Sequence, residues 1–116
     1  MKAKFEEFND GMAGIFKENA EGKLERAFPN DFRFGEENVS IQRHYSAKMS
    51  DERVDKVIHI QKQKGIAAHD VVVIGEEQFE IDKVDTIKDS LPPITKLSLI
   101  KYDKHRRKEF AESGEN

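Results

Sequence analysis

The chain has 116 residues, 36% hydrophobic and 37% charged, which allows one domain with a modest core and a heavily charged surface. A net charge of −3 gives no overall pull towards nucleic acid, and the lack of cysteine excludes disulfides and thiolate metal sites and fits a reducing cytoplasm. No apolar run approaches the ~20 residues that span a bilayer, and Met1-Lys2-Ala3-Lys4-Phe5-Glu6-Glu7 lacks the apolar segment of a signal peptide.

Phe5, Phe8, Met12, Ile15 and Phe16 recur at three- and four-residue steps. That spacing predicts an amphipathic helix over about 3–20, weakened by Gly11 and Gly14. Its aromatic stripe needs cover, either from the domain's own sheet or from a partner subunit. Residues 21–38 read as an irregular connector anchored by Leu24, Phe28, Phe32 and Phe34, with Pro29-Asn30-Asp31 and Gly35 as breakers and a short strand possible at Phe32–Phe34.

Val39, Ile41, Arg43 and Tyr45 alternate with polar residues, and alternation resumes through Ile58 and Ile60. Each reads as a strand with one apolar face. Between them, Lys48, Met49, Ser50, Asp51, Glu52 and Arg53 form a polar loop. Val71–Ile74 and Phe79–Ile87 flank Gly75-Glu76-Glu77-Gln78, a hairpin whose glycine suits positive φ. Val71, Val73, Phe79 and Ile81 are expected on one face. Pro92 and Pro93 mark a loop, and Ile94 to Tyr102 gives a last strand.

These segments predict a mainly β domain of the α+β kind over residues 1–103. Its barrel or sandwich of five to six antiparallel strands occupies 39–103, behind the helix and the connector. Closing such a sheet hides edges that otherwise pair with other chains. Residues 104–116 are expected as a charged, flexible tail, and Lys104, Arg106, Arg107, Lys108 and Phe110 are candidates for a docking segment that orders on a partner.

No motif for catalysis emerges. His44, His59, His69 and His105 show no metal-ligand spacing, and His44 and His59 fall at polar positions of neighbouring strands. Surface or partly satisfied rings are therefore expected, with no metal, cofactor or catalytic residue assigned. There is no nucleophile elbow and no phosphate-binding glycine loop. The four cations of the 104–108 cluster lie beside acidic residues, which predicts weak, salt-sensitive attraction for DNA at most.

The stretch from Val57 to Asp103 resembles the head-closure, or head–tail connector, proteins of tailed bacteriophages. The resemblance rests on Ile58-His59-Ile60, Gly65, Asp70-Val71-Val72-Val73-Ile74-Gly75, Phe79-Glu80-Ile81-Asp82-Lys83-Val84 and Leu97-Ser98-Leu99-Ile100-Lys101. The long stretch before the barrel is similar to the head-completion proteins of phages and prophages of Gram-positive bacteria. The resemblance implies a structural protein, not an enzyme. Such a protein acts in the virion neck after assembly in the host cytoplasm, self-associates into a ring under the portal and adaptor, closes the DNA-filled head and offers a surface to the tail. DNA would be met only transiently in the channel, and no membrane is involved. The polar loop at Lys48–Arg53 is then a candidate lumen-facing element, and otherwise an ordinary solvated hairpin loop. Alternative roles are another tail or neck completion subunit, or a small nucleic-acid-binding regulatory barrel.

Overall fold

The computed structural model describes residues 4–37 and 54–111. Among them the chain forms nine strands and no helix: β1 (Lys4–Phe5), β2 (Gly11–Glu18), β3 (Leu24–Arg26), β4 (Phe32–Glu37), β5 (Lys56–Gln61), β6 (Val71–Ile74), β7 (Glu77–Ile87), β8 (Ser90–Leu91) and β9 (Ile94–Lys101). Six strands run antiparallel in the order β2-β4-β5-β9-β7-β6, and β6 returns to β2 to close the barrel. β3 adds to β2 outside this ring, and β1 pairs in parallel with β8.

The interior is apolar because inward positions alternate along each strand. Ile15, Ile58, Val72, Phe79, Ile81 and Leu97 are almost fully enclosed in it. Ala27, Phe28, Phe32 and Ile66 pack against this core, and Phe28 meets Phe32 edge-on; the irregular connector expected over 21–38 is corrected, since it supplies β3 and the wall strand β4. Burying a large side chain of this kind contributes roughly 1.5–3 kcal/mol.

The N-terminal helix is corrected to a strand. Residues 11–18 pair with β4 through Gly11–Ala13 and with β6 through Gly14–Phe16. The apolar residues there obey two periods at once. Ala13 and Ile15 point into the barrel, whereas Phe16 joins a second cluster outside it with Leu24, Val71 and Tyr102. Both faces are covered, so burial could not distinguish the helical from the extended period, and pairing with β4 and β6 settles the extended one.

The β6–β7 hairpin also shifts register from the expected one. Phe79 and Ile81 are core residues, but they share the interior with Val72, while Val71 and Val73 face the outer cluster. The tight turn is as expected: Gly75 has φ of 61° and, with Glu76, links paired Ile74 and Glu77. A bulge between Ile81 and Lys83 re-aims the remainder of β7, so that Val84 again packs on the core. The expected strand over Val39–Tyr45 lies outside the described residues.

Candidate functional site

Two places on the barrel's outer wall are covered by chain segments, and each has a buried polar residue at its centre. The first is a row across three strands. His59 on β5 lies opposite Gly35 on β4 and Lys96 on β9. Glu37 sits two residues along β4 on the same face, at the diagonal position from His59. Residues 6–8 lie over this row, held in part by the Glu6 amide donating to the Leu91 carbonyl at 3.0 Å.

His59 is therefore buried, with 6% of its surface exposed. In place of the expected surface or partly satisfied ring, His59 is enclosed with both nitrogens bonded. The alternation was read correctly, since His59 does point away from the barrel interior, but another segment of chain covers that face. Its Nδ1 meets Glu37 Oε2 at 2.5 Å, and its Nε2 meets the Glu7 carbonyl at 2.7 Å and Glu6 Oε1 at 3.3 Å. The two ring nitrogens are thus both engaged, one by a carboxylate and the other by a backbone carbonyl with a second carboxylate beside it. Glu6 and Glu37 keep only 5% and 17% of their side chains exposed. Lys96 Nζ stands 4.0 Å from Glu37 Oε1, which places a cation at the edge of the cluster.

The ring's position is fixed by packing. A Cβ on Gly35 would overlap the imidazole and the Glu7 carbonyl, so only glycine lets the ring and the covering segment approach this closely. Phe8 closes the site edge-on, with ring centroids 5.4 Å apart. Asp10 secures the end of the segment: its amide donates to the Phe34 carbonyl at 2.9 Å and its carboxylate accepts from the Glu36 amide at 2.7 Å. Sequence reasoning had His59 but missed Glu6 and Glu37, because no spacing pattern joins residues from three separate segments. The signals available were Gly35 inside a short strand and a histidine flanked by isoleucines.

The second patch holds the candidate docking residues. Gln78 is 2% exposed, and its side-chain amide brackets one peptide unit: Nε2 donates to the Lys108 carbonyl at 2.8 Å, and Oε1 accepts from the Lys108 amide at 2.9 Å. Beyond it, Leu24 and the chain end exchange backbone bonds, with the Leu24 amide donating to Glu109 and the Ala111 amide donating to Leu24, each at 2.8 Å. Phe110 stacks edge-on against Phe16, and Tyr102 lies beneath the Arg106 guanidinium and the Lys108 ammonium. Residues 104–111 thus lie against the barrel, and their covering of its outer cluster is what the charged sequence concealed.

Most of the cations in that cluster have partners in the same chain. Arg106 pairs with Glu80 at 2.8 Å, Arg107 donates to the Glu76 carbonyl, and Lys108 approaches Glu18 at 3.8 Å. Glu80 also accepts from His69 at 2.7 Å; that bond, then Arg106, holds its carboxyl below the usual range, while Glu80 raises the His69 imidazole. Shallow surface depressions lined by Gln78, Lys101, Tyr102, Asp103 and Lys104 lie at this patch. The other candidate segment, Lys48, Met49, Ser50, Asp51, Glu52 and Arg53, lies outside the described residues. No family model, no curated protein and no solved structure matches the chain.

Proposed function

We propose that the protein is a structural subunit of a tailed-phage neck, closing the DNA-filled head beneath the portal and adaptor and offering a surface to the tail. The observation that carries this reading is the Val57–Asp103 pattern, which the chain folds as consecutive strands of a closed barrel. A closed barrel suits the role physically. Its wall strands pair with one another, so copies meet through side chains rather than by adding strands at an open edge. A ring of identical subunits needs one patch to meet a different patch on the next copy. Weak contacts of this kind become firm when many act together on a platform.

On this reading the chain is a monomer alone and a ring on its docking platform. The own-chain pairing of Arg106, Arg107 and Lys108 argues against a main role in gripping DNA, since phosphates would compete with partners already in place. The test is to mix purified protein with portal–adaptor complexes and image them by electron microscopy. Added ring density under the adaptor is the expected result. Lack of association at high protein concentration overturns the proposal, and binding to tail tubes instead would assign the chain to tail completion. Tight DNA binding with a steep salt slope would favour the regulatory barrel.

A further inference from the structure

We propose that residues 104–111 exchange between copies of this chain, each segment seating on a neighbour's barrel in the place it takes on its own. The partner is a second copy, and the docking surface is the patch around Gln78, Leu24 and Phe16.

The hinge carries the argument. The Tyr102 amide donates to the Gln78 carbonyl at 2.9 Å, and the Gln78 side chain holds the Lys108 peptide unit. The chain therefore leaves Gln78 and returns to it through residues 103–107, all of them exposed. Asp103 folds this return by accepting from the His105 and Arg106 amides, each at 3.0 Å. Short hinge loops invite exchange, because opening one leaves the same docking bonds to be made on another copy. Drawn out, the loop spans roughly 20 Å from Tyr102 to Lys108, which hands the segment to an adjacent barrel.

The segment is also a separable part. No residue of 104–111 belongs to either hydrophobic cluster and none is buried; Phe110 keeps 44% of its surface exposed. The barrel closes through its own six strands. Beneath the segment lie Phe16, Leu24, Val71 and Tyr102, an apolar cluster that needs another cover once vacated. The fit is to this particular segment. Leu24 exchanges backbone bonds with Glu109 and Ala111, Phe16 takes Phe110, and Glu80 and Glu18 face Arg106 and Lys108. Every copy carries both the groove and the matching segment, so exchange is reciprocal in a pair or passes onward round a ring.

The docking bonds are the same in both arrangements, so concentration decides between them. The short tether holds the segment near its own groove at an effective concentration on the order of millimolar. Dilute protein therefore keeps its own segment, and copies crowded side by side exchange it. The inference needs only copies of this chain and does not rest on the neck reading.

The test mixes equal amounts of unlabelled and isotope-labelled full-length protein at about millimolar concentration and adds a zero-length carbodiimide crosslinker. Lys108 Nζ stands 3.8 Å from Glu18 Oε1, so this pair reports the seat of the segment. Lys101 Nζ and Glu77 Oε2, 2.9 Å apart, join two strands of one barrel and serve as the control. Mass spectrometry separates crosslinks within a copy from those between differently labelled copies. About half of the segments should be exchanged at that concentration, so about a quarter of the Glu18–Lys108 crosslinks should be mixed. They should fall away on dilution, with Lys101–Glu77 unmixed throughout. Deleting Lys104 and His105 shortens the hinge, so its mixed crosslinks should persist on dilution. Wild-type Glu18–Lys108 crosslinks that stay unmixed at the high concentration, or mix no more than the control, would overturn the proposal. The wild-type result decides the matter even if the deletion variant fails to fold.

Discussion

At the His59 patch an imidazole meets two carboxylates beneath residues 6–8; at the Gln78 patch a neutral amide meets one peptide unit beneath residues 104–111. Both fasten a chain segment to the outside of the same barrel. The amide clasp is complete in itself, since its donor and acceptor both match the backbone and neither carries charge. The ionic clasp sets a buried ring between a carboxylate on one nitrogen and a backbone carbonyl on the other. One wall is thus closed by two chemistries. The difference follows from the wall strands: β4 presents glycine and glutamate around His59, whereas β6 sets Val73 opposite Gln78 and Val71 diagonal to it.

The largest expected effect comes from breaking the ionic clasp. His59→Ala takes one buried hydrogen bond each from the Glu37 carboxylate and the Glu7 carbonyl and should cost about 1–3 kcal/mol apiece, read from urea unfolding. An unchanged midpoint would mean that residues 6–8 do not cover the ring. Gly35→Ala attacks the same place by volume alone. Its methyl group must displace both the imidazole and the Glu7 backbone, so about 1–3 kcal/mol should be lost without altering any charge. Gln78→Ala leaves the Lys108 amide and carbonyl unpaired and should cost about 1–3 kcal/mol. If it cost nothing, water would be replacing the amide, and residues 104–111 would be less firmly seated than the Gln78 bonds require.

The smallest effect belongs to the exposed His69–Glu80 pair beside the second patch. Glu80 raises His69, so this contribution is full below about 6.5 and is lost as pH rises through the raised value. Glu80 is lowered, so its contribution is present above about 4.5 and is lost as pH falls through the lowered value. Wild type and His69→Gln should therefore differ most in melting temperature between about pH 4.5 and 6.5 and converge at alkaline pH. The difference should be small because the His69 side chain is 83% exposed. A gap that widens with rising pH would contradict the pairing.

The barrel was largely legible because β5, β7 and β9 alternate, β6 is a short β-branched run, and the Gly75 turn announces its hairpin; β6 is apolar on both faces, so its register was not legible. β2 was not, because Ile15 and Phe16 are buried on opposite sides of the same strand, and their spacing with Phe8 and Met12 imitates a helix. The covered outer wall explains the other differences. A residue such as His59 or Gln78 looks solvent-facing when only its own strand is considered. Its burial depends on segments joined to it through tertiary contacts: residues 6–8 for one, and 104–111 for the other. The charged composition of 104–111 hid a role that rests mainly on its backbone and on one phenylalanine.

The measurement that most directly tests both coverings is amide hydrogen exchange of the unaltered protein. The amides of Glu6, Lys108 and Ala111 donate to Leu91 O, Gln78 Oε1 and Leu24 O at 3.0, 2.9 and 2.8 Å, so all three should exchange far more slowly than an unstructured chain. Exchange of all three at the unprotected rate, with the barrel amides still protected, would contradict the account.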